Sequence, residues 1–152
     1  MTTANTIVSQ LDLAWAGGFI DGEACIHLAR ARRNCGNRVN YRLRVAVSQN
    51  CEDTLLELQR ILRGGFMTRV RRTMQHTRQV FTLVLDGRAA IAAIIAVEPY
   101  LRRKRPEAHV AIRFYNEGMP SLHPGPSGTP AHIWALREWC YDSLRTLKRG
   151  QP

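Results

Sequence analysis

A helix-periodic segment carrying glycines sets the tightest constraint on this chain. Residues 11–23 read LDLAWAGGFIDGE. Leu11, Trp15 and Phe19 recur every fourth position, and Leu13 and Ile20 extend the apolar surface around the helix. Ser9 precedes the segment as an N-cap, and Asp12 three residues later completes a capping box. A glycine inside a helix costs about 1 kcal/mol relative to alanine, so Gly17, Gly18 and Gly22 need a compensating contact. Ala14, Gly17, Gly18, Asp21 and Gly22 form a stripe of small residues at spacings of three and four. Close approach of another helix is the physical compensation such a stripe permits. The segment ends on Glu23, where the helix dipole disfavours negative charge.

The rest of the chain alternates strands and helices. Residues 26–33 read as a strand, a turn follows around Gly36, and residues 41–49 form a second strand. Tyr41, Leu43, Val45 and Val47 fall on one face of it, and Asn40, Arg42, Arg44, Ala46 and Ser48 on the other. A helix over residues 53–62 ends at Gly64 and Gly65. A second hairpin spans residues 66–72 and 79–85, turning near residues 74–77. Helices follow over residues 88–97, stopped by Pro99, and from Pro106 to about residue 115. The stretch 118–130 is rich in proline and glycine and reads as a linker; Thr129 and Pro130 then cap a last amphipathic helix. The expected fold class is α+β, an αββαββα unit with an antiparallel four-stranded sheet, helices on one face, and an added C-terminal helix. Its divisions are a core of residues 1–117, a linker of 118–130 and an extension of 131–152.

The net charge of +10 favours a polyanionic partner, either nucleic acid or an acidic membrane surface. The excess is mostly arginine, which suits bidentate contacts to phosphate and guanine. No stretch approaches the roughly 20 apolar residues that span a bilayer. The first residues lack the pattern of a secretion signal, so a cytoplasmic, organellar or nucleoid-associated location is expected. The cysteines form no C-x-x-C pair, which argues against a zinc site. Arg42 and Arg44 lie opposite apolar residues in the second strand, and Arg69 and Arg71 repeat their spacing in the third. Matched arginine pairs on two hairpins make a ribbon suited to the major groove.

The segment Ala16-Gly17-Gly18-Phe19-Ile20-Asp21-Gly22-Glu23-Ala24 resembles the LAGLIDADG motif of homing endonucleases, departing at Ala16, Gly17 and Ala24. The element order over residues 11–115 is also what that family's fold requires. The resemblance implies a saddle-shaped sheet. A single motif copy implies a homodimer whose motif helices pack together through Ala14, Gly17, Gly18 and Asp21. It implies Glu23 as a carboxylate ligand, and the Gly22 carbonyl as a second ligand, of an essential Mg²⁺ or Mn²⁺. Gln49 matches a residue that orders water, and Lys104 an active-site lysine that stabilises phosphate charge. The partner implied is double-stranded DNA, not a membrane. The DNA-binding residues expected are His27, Arg33, Asn40, Arg42, Arg44, Arg69, Arg71 and Arg78. Asp53 stands where the family sometimes has a basic residue.

Each position also has a plain reading: Asp21 as a structural residue at the helix end, Gln49 as a strand end, Lys104 as one of a basic run. The function expected is a site-specific, metal-dependent double-strand endonuclease acting on a long pseudo-palindromic site. The alternatives are a non-cleaving binder on the same fold, such as a transcription regulator or splicing maturase, and a basic membrane-surface protein.

Overall fold

The computed structural model describes residues 7–32, 39–70, 78–119 and 128–150. The order is α1 (Gln10–Glu23), β1 (Ala24–Arg32), β2 (Val39–Gln49), α2 (Glu52–Leu62), β3 (Phe66–Val70), β4 (Val80–Asp86), α3 (Gly87–Val97), a 3₁₀ turn (Glu98–Tyr100), α4 (Arg105–Gly118) and α5 (Ala131–Lys148). The four strands form one antiparallel sheet in the order β1-β2-β4-β3. This is the α+β arrangement expected from the sequence. The second hairpin's turn near residues 74–77 and most of the 118–130 stretch lie outside the described residues, as do Arg33 and Arg71.

Strict alternation fixes which face of the sheet is covered. Ile26, Leu28, Leu43, Val45, Leu83 and Leu85 are almost fully buried against the helices. Each such side chain contributes about 1.5–3 kcal/mol on burial. Their neighbours His27, Arg42, Arg44, Thr82 and Asp86 point to the opposite, open face. α2 buries Leu55, Leu58, Ile61 and Leu62, one stripe at helical spacing. α5 packs on α4 and β1, and its Cys140 and Leu144 join the core.

The ends of the helices refine the expectations. At α1 the Ser9 hydroxyl accepts from the Asp12 backbone N–H, and the Asp12 carboxylate accepts from the Ser9 N–H, completing the capping box. α2 does not end on a left-handed glycine. Arg63 takes that conformation at φ 54°, and Gly65 follows at φ 90°. A Cβ on Gly65 would lie 2.8 Å from the Val84 carbonyl oxygen, so its place against β4 demands glycine. At α5 the cap residue is Pro130 rather than Thr129, and no side-chain cap bond is made.

Candidate functional site

α1 leads directly into the sheet. Ala24 caps the helix at φ −80°, ψ 155°, donates its N–H to the Ile20 carbonyl and pairs with Val47 in β2. This exit is extended backbone that any residue adopts, so alanine serves where the family motif has glycine. Gly22 and Glu23 are exposed at the junction. Among the described residues no ion pair or side-chain hydrogen bond engages the Glu23 carboxylate. Gln49 lies at the same end of the sheet, two residues beyond the partner of Ala24, opposite Phe81 and half-buried.

Lys104 comes to this end from the far side of the chain. It is 7% exposed, at the N-cap of α4, and its ammonium donates to the Asp21 backbone carbonyl. Burial pushes its pKa down, as does the neighbouring Arg103 charge. The Asp21 carboxylate accepts from the backbone N–H groups of Arg103 (2.9 Å) and Lys104 (2.7 Å). Burial pushes the Asp21 carboxyl up, but these backbone bonds outweigh it and hold it below its ordinary value. Asp21 thus clamps the turn carrying Lys104 onto α1, an intrachain role. A cleft of about 190 Å³ opens beside it, lined by Gly22, Cys25, Arg103, Lys104, Glu107 and Lys148. The Cys25 thiol is drawn down to about 7, first by contact with His27 (Sγ···Nδ1 3.6 Å), against burial, and also by Lys148. Lys148 reaches the cleft from α5, a proximity no sequence spacing reveals.

The glycine stripe divides in two. A Cβ on Gly17 would stand 2.6 Å from the Tyr100 Cβ, so Gly17 is spent on packing against the 3₁₀ turn within the chain. The expectation that Gly17 faces a second copy is therefore corrected. Ala14, Gly18 and Gly22 are exposed, and nothing lies within 4 Å of a Cβ built on either glycine. Leu11, 82% exposed, and Trp15, 41% exposed, continue that outward stripe.

The open face carries His27, Asn40, Arg42 and Arg44, in register across β1 and β2. Arg44 is not free. It donates from Nε (2.6 Å) and Nη2 (2.8 Å) to the Asp86 carboxylate. The pair raises the Arg44 pKa and lowers that of Asp86. Arg42 stays 60% exposed at the edge of the same carboxylate's reach, 3.9 Å away. No local sequence pattern marks Asp86 for this pairing, and it makes no side-chain cap bond to α3. Arg69 corrects the idea of two matched arginine pairs. Thr68 pairs with Thr82 and Phe66 with Val84, which puts Arg69 on the helix-bearing side. There its guanidinium stacks 5.5 Å from the Phe81 ring and reaches Glu52 at 3.5 Å. Arg78 is exposed. Among the described residues, no helix is long and apolar enough to cross a membrane.

No protein-family model and no curated protein matches the chain. Solved structures do. The homing endonuclease I-CvuI, bound to the I-CreI target in the presence of Mg with the DNA uncleaved, is 23% identical with a TM-score of 0.72, covering 93% of this chain and 85% of its own. The same endonuclease with its own target and Ca is 22% identical with a TM-score of 0.74 over the same shares of both chains. The archaeal intron-encoded homing endonuclease I-Vdi141I, complexed with DNA, is 10% identical with a TM-score of 0.69, covering 93% of this chain and 87% of its own. From the glycine-bearing first helix that delivers an acid to the sheet, through two antiparallel hairpins, to the helices behind them, the chain has the fold of the LAGLIDADG homing endonucleases.

Proposed function

We propose that this protein is a DNA endonuclease that works as a homodimer with divalent metal ions, cutting both strands of a long, roughly palindromic site. One observation carries the reading: the exposed Glu23 carboxylate, unengaged among the described residues, stands at the end of an open sheet face bearing His27, Asn40 and Arg42. A lone carboxylate facing a polyanion is repelled unless a cation lies between them. Duplex DNA is the partner that the +10 charge and the arginine-bearing face suit best. The similar structures, which hold DNA, support the same partner.

The donor set fits a hard divalent cation. Glu23 and the neighbouring Gly22 carbonyl, both exposed at the end of α1, would supply hard oxygen ligands. Such a site suits Mg²⁺ or Mn²⁺, which keep water and phosphate oxygens in their shells. When bound, the cation supplies an activated water and stabilisation of the leaving oxygen. The chain's own groups do the rest. Glu23 would hold the cation against the strand, Gln49 would orient water at the sheet end, and Lys104 would offer positive charge toward the phosphate on leaving the Asp21 carbonyl. The outward stripe of Leu11, Ala14, Trp15, Gly18 and Gly22 is the face by which a second copy joins, bringing one acid per strand.

Glu23→Gln tests the proposal. With Mg²⁺ and a selected target, the variant should bind as tightly as the parent and release no cut product; cutting by the variant would remove Glu23 from the chemistry. A non-cleaving binder is the second reading. It is favoured by the buried Lys104 ammonium being committed to the Asp21 carbonyl. Tight binding by the parent without product in any divalent metal would select it.

A further inference from the structure

The open face of the sheet is zoned along its length. Beside the Glu23 end, Ser48, Thr82 and Thr68 form one row across β2, β4 and β3, flanked by Val80 and Val70. The next row is Cys25, Ala46, Val84 and Phe66. Among the described residues, no Asp, Glu, Lys or Arg of the strands points out from these rows, and Lys148 of α5 reaches them at the Cys25 edge. Further from Glu23 come His27, Arg44 and Asp86, then Arg42, then Asn40. The neutral zone's polar capacity is largely spent within the sheet. The Ser48 and Thr82 hydroxyls pair at 2.8 Å, and the Thr68 hydroxyl donates to the Thr82 carbonyl at 3.3 Å. What remains outward is methyl and aromatic surface, with Phe66 49% and Val70 42% exposed.

Resting on the reading of this face as a duplex-binding surface, we propose that it selects its target by two chemistries. The zone beside Glu23 reads thymine C5-methyl groups, and Arg42 reads guanine further out. In the major groove the thymine methyl is the feature that Thr, Ala and Phe recognise, and Arg pairs bidentately with guanine O6 and N7. Arg44 is withheld from that task by Asp86, which leaves Arg42 as the exposed guanidinium of β2. Residues two apart on one face are about 6.7 Å apart and bases stack about 3.4 Å apart, so each row of side chains covers about two base pairs. The target half-site is therefore T·A-rich next to the cleavage position and carries its required guanine several base pairs outward. A protein partner for the apolar zone is disfavoured because the exposed Arg42 guanidinium continues the same surface in a chain of net charge +10.

Selection of bound, rather than cut, duplexes from a randomised library tests this with the full chain, independently of cleavage. Inner positions should be enriched in thymine. Replacing one such thymine by uracil, which removes only the methyl, should weaken binding about fourfold. Arg42→Ala should relax a guanine preference of roughly five- to 150-fold at the outer position and leave the inner positions unchanged. Uracil tolerated at every inner position overturns the proposal. So does Arg42→Ala shifting inner preferences, or Phe66→Ser changing oligomeric state with base preference intact. Duplex binding without product, with both zones as described, sinks only the endonuclease reading.

Discussion

Gly17 and Gly18 are adjacent on one helix, and the same substitution should act oppositely at the two. Alanine gains about 1 kcal/mol of helix propensity at either position. At Gly17 the new Cβ meets the Tyr100 Cβ at 2.6 Å, with the Val97 carbonyl oxygen at 3.4 Å. The obstacle is the root of a side chain beside backbone, so α1 must shift away from the 3₁₀ turn. Overpacking of this kind costs about 1–3 kcal/mol, leaving Gly17→Ala neutral to about 2 kcal/mol destabilising. At Gly18 nothing lies within 4 Å, so the isolated chain should be stabilised by about 1 kcal/mol. For a domain of this size 1 kcal/mol corresponds to about 2–4 °C in Tm. A second copy packed on the outward stripe changes the second sign alone. Gly18→Ala should then weaken association while raising the melting temperature of the dilute monomer. Thermal melts over a range of protein concentrations, with sedimentation equilibrium for association, read both effects. Equal shifts for the two variants would refute the packing argument at Gly17. Unchanged association in Gly18→Ala would remove this stripe from the dimer face.

Asp21→Asn should destabilise the fold by about 2 kcal/mol in urea denaturation, because it weakens charged acceptance from the Arg103 and Lys104 backbones. With the Asp21 pKa held below its ordinary value, that difference is present above about pH 4 and shrinks as pH falls through the folded-state value. The Tyr41 phenol is pushed up to about 12 by burial, by its hydrogen bond to Glu138 and by that carboxylate's charge. The unfolded chain releases this proton first, so stability should decline from about pH 10 to pH 12. Tyr41→Phe should remove that component of the decline. Asp86→Asn frees Arg44, and the slope of log binding constant against log salt for duplex DNA should steepen by about 1 per half-site. An unchanged slope would show that Arg44 does not reach phosphate.

What the sequence determined by itself was whatever repeats or terminates locally. The capping box at Ser9, the glycines of α1 and the alternation of Tyr41, Leu43, Val45 and Val47 led to the right elements, element order and open face of β2, because helix and strand periods place neighbouring side chains without reference to the rest of the chain. Tertiary structure alone decided the partners. Gly17 against Tyr100 and Asp21 against Lys104 join segments over 80 residues apart, and Arg44 meets Asp86 across 42. Arg69 went to the covered side because the pairing of β3 with β4 sets its face, and Phe66-Met67-Thr68-Arg69-Val70 lacks an alternation that reveals this register. Which glycine packs inward and which stays open depends on what stands opposite each, and no local spacing encodes that.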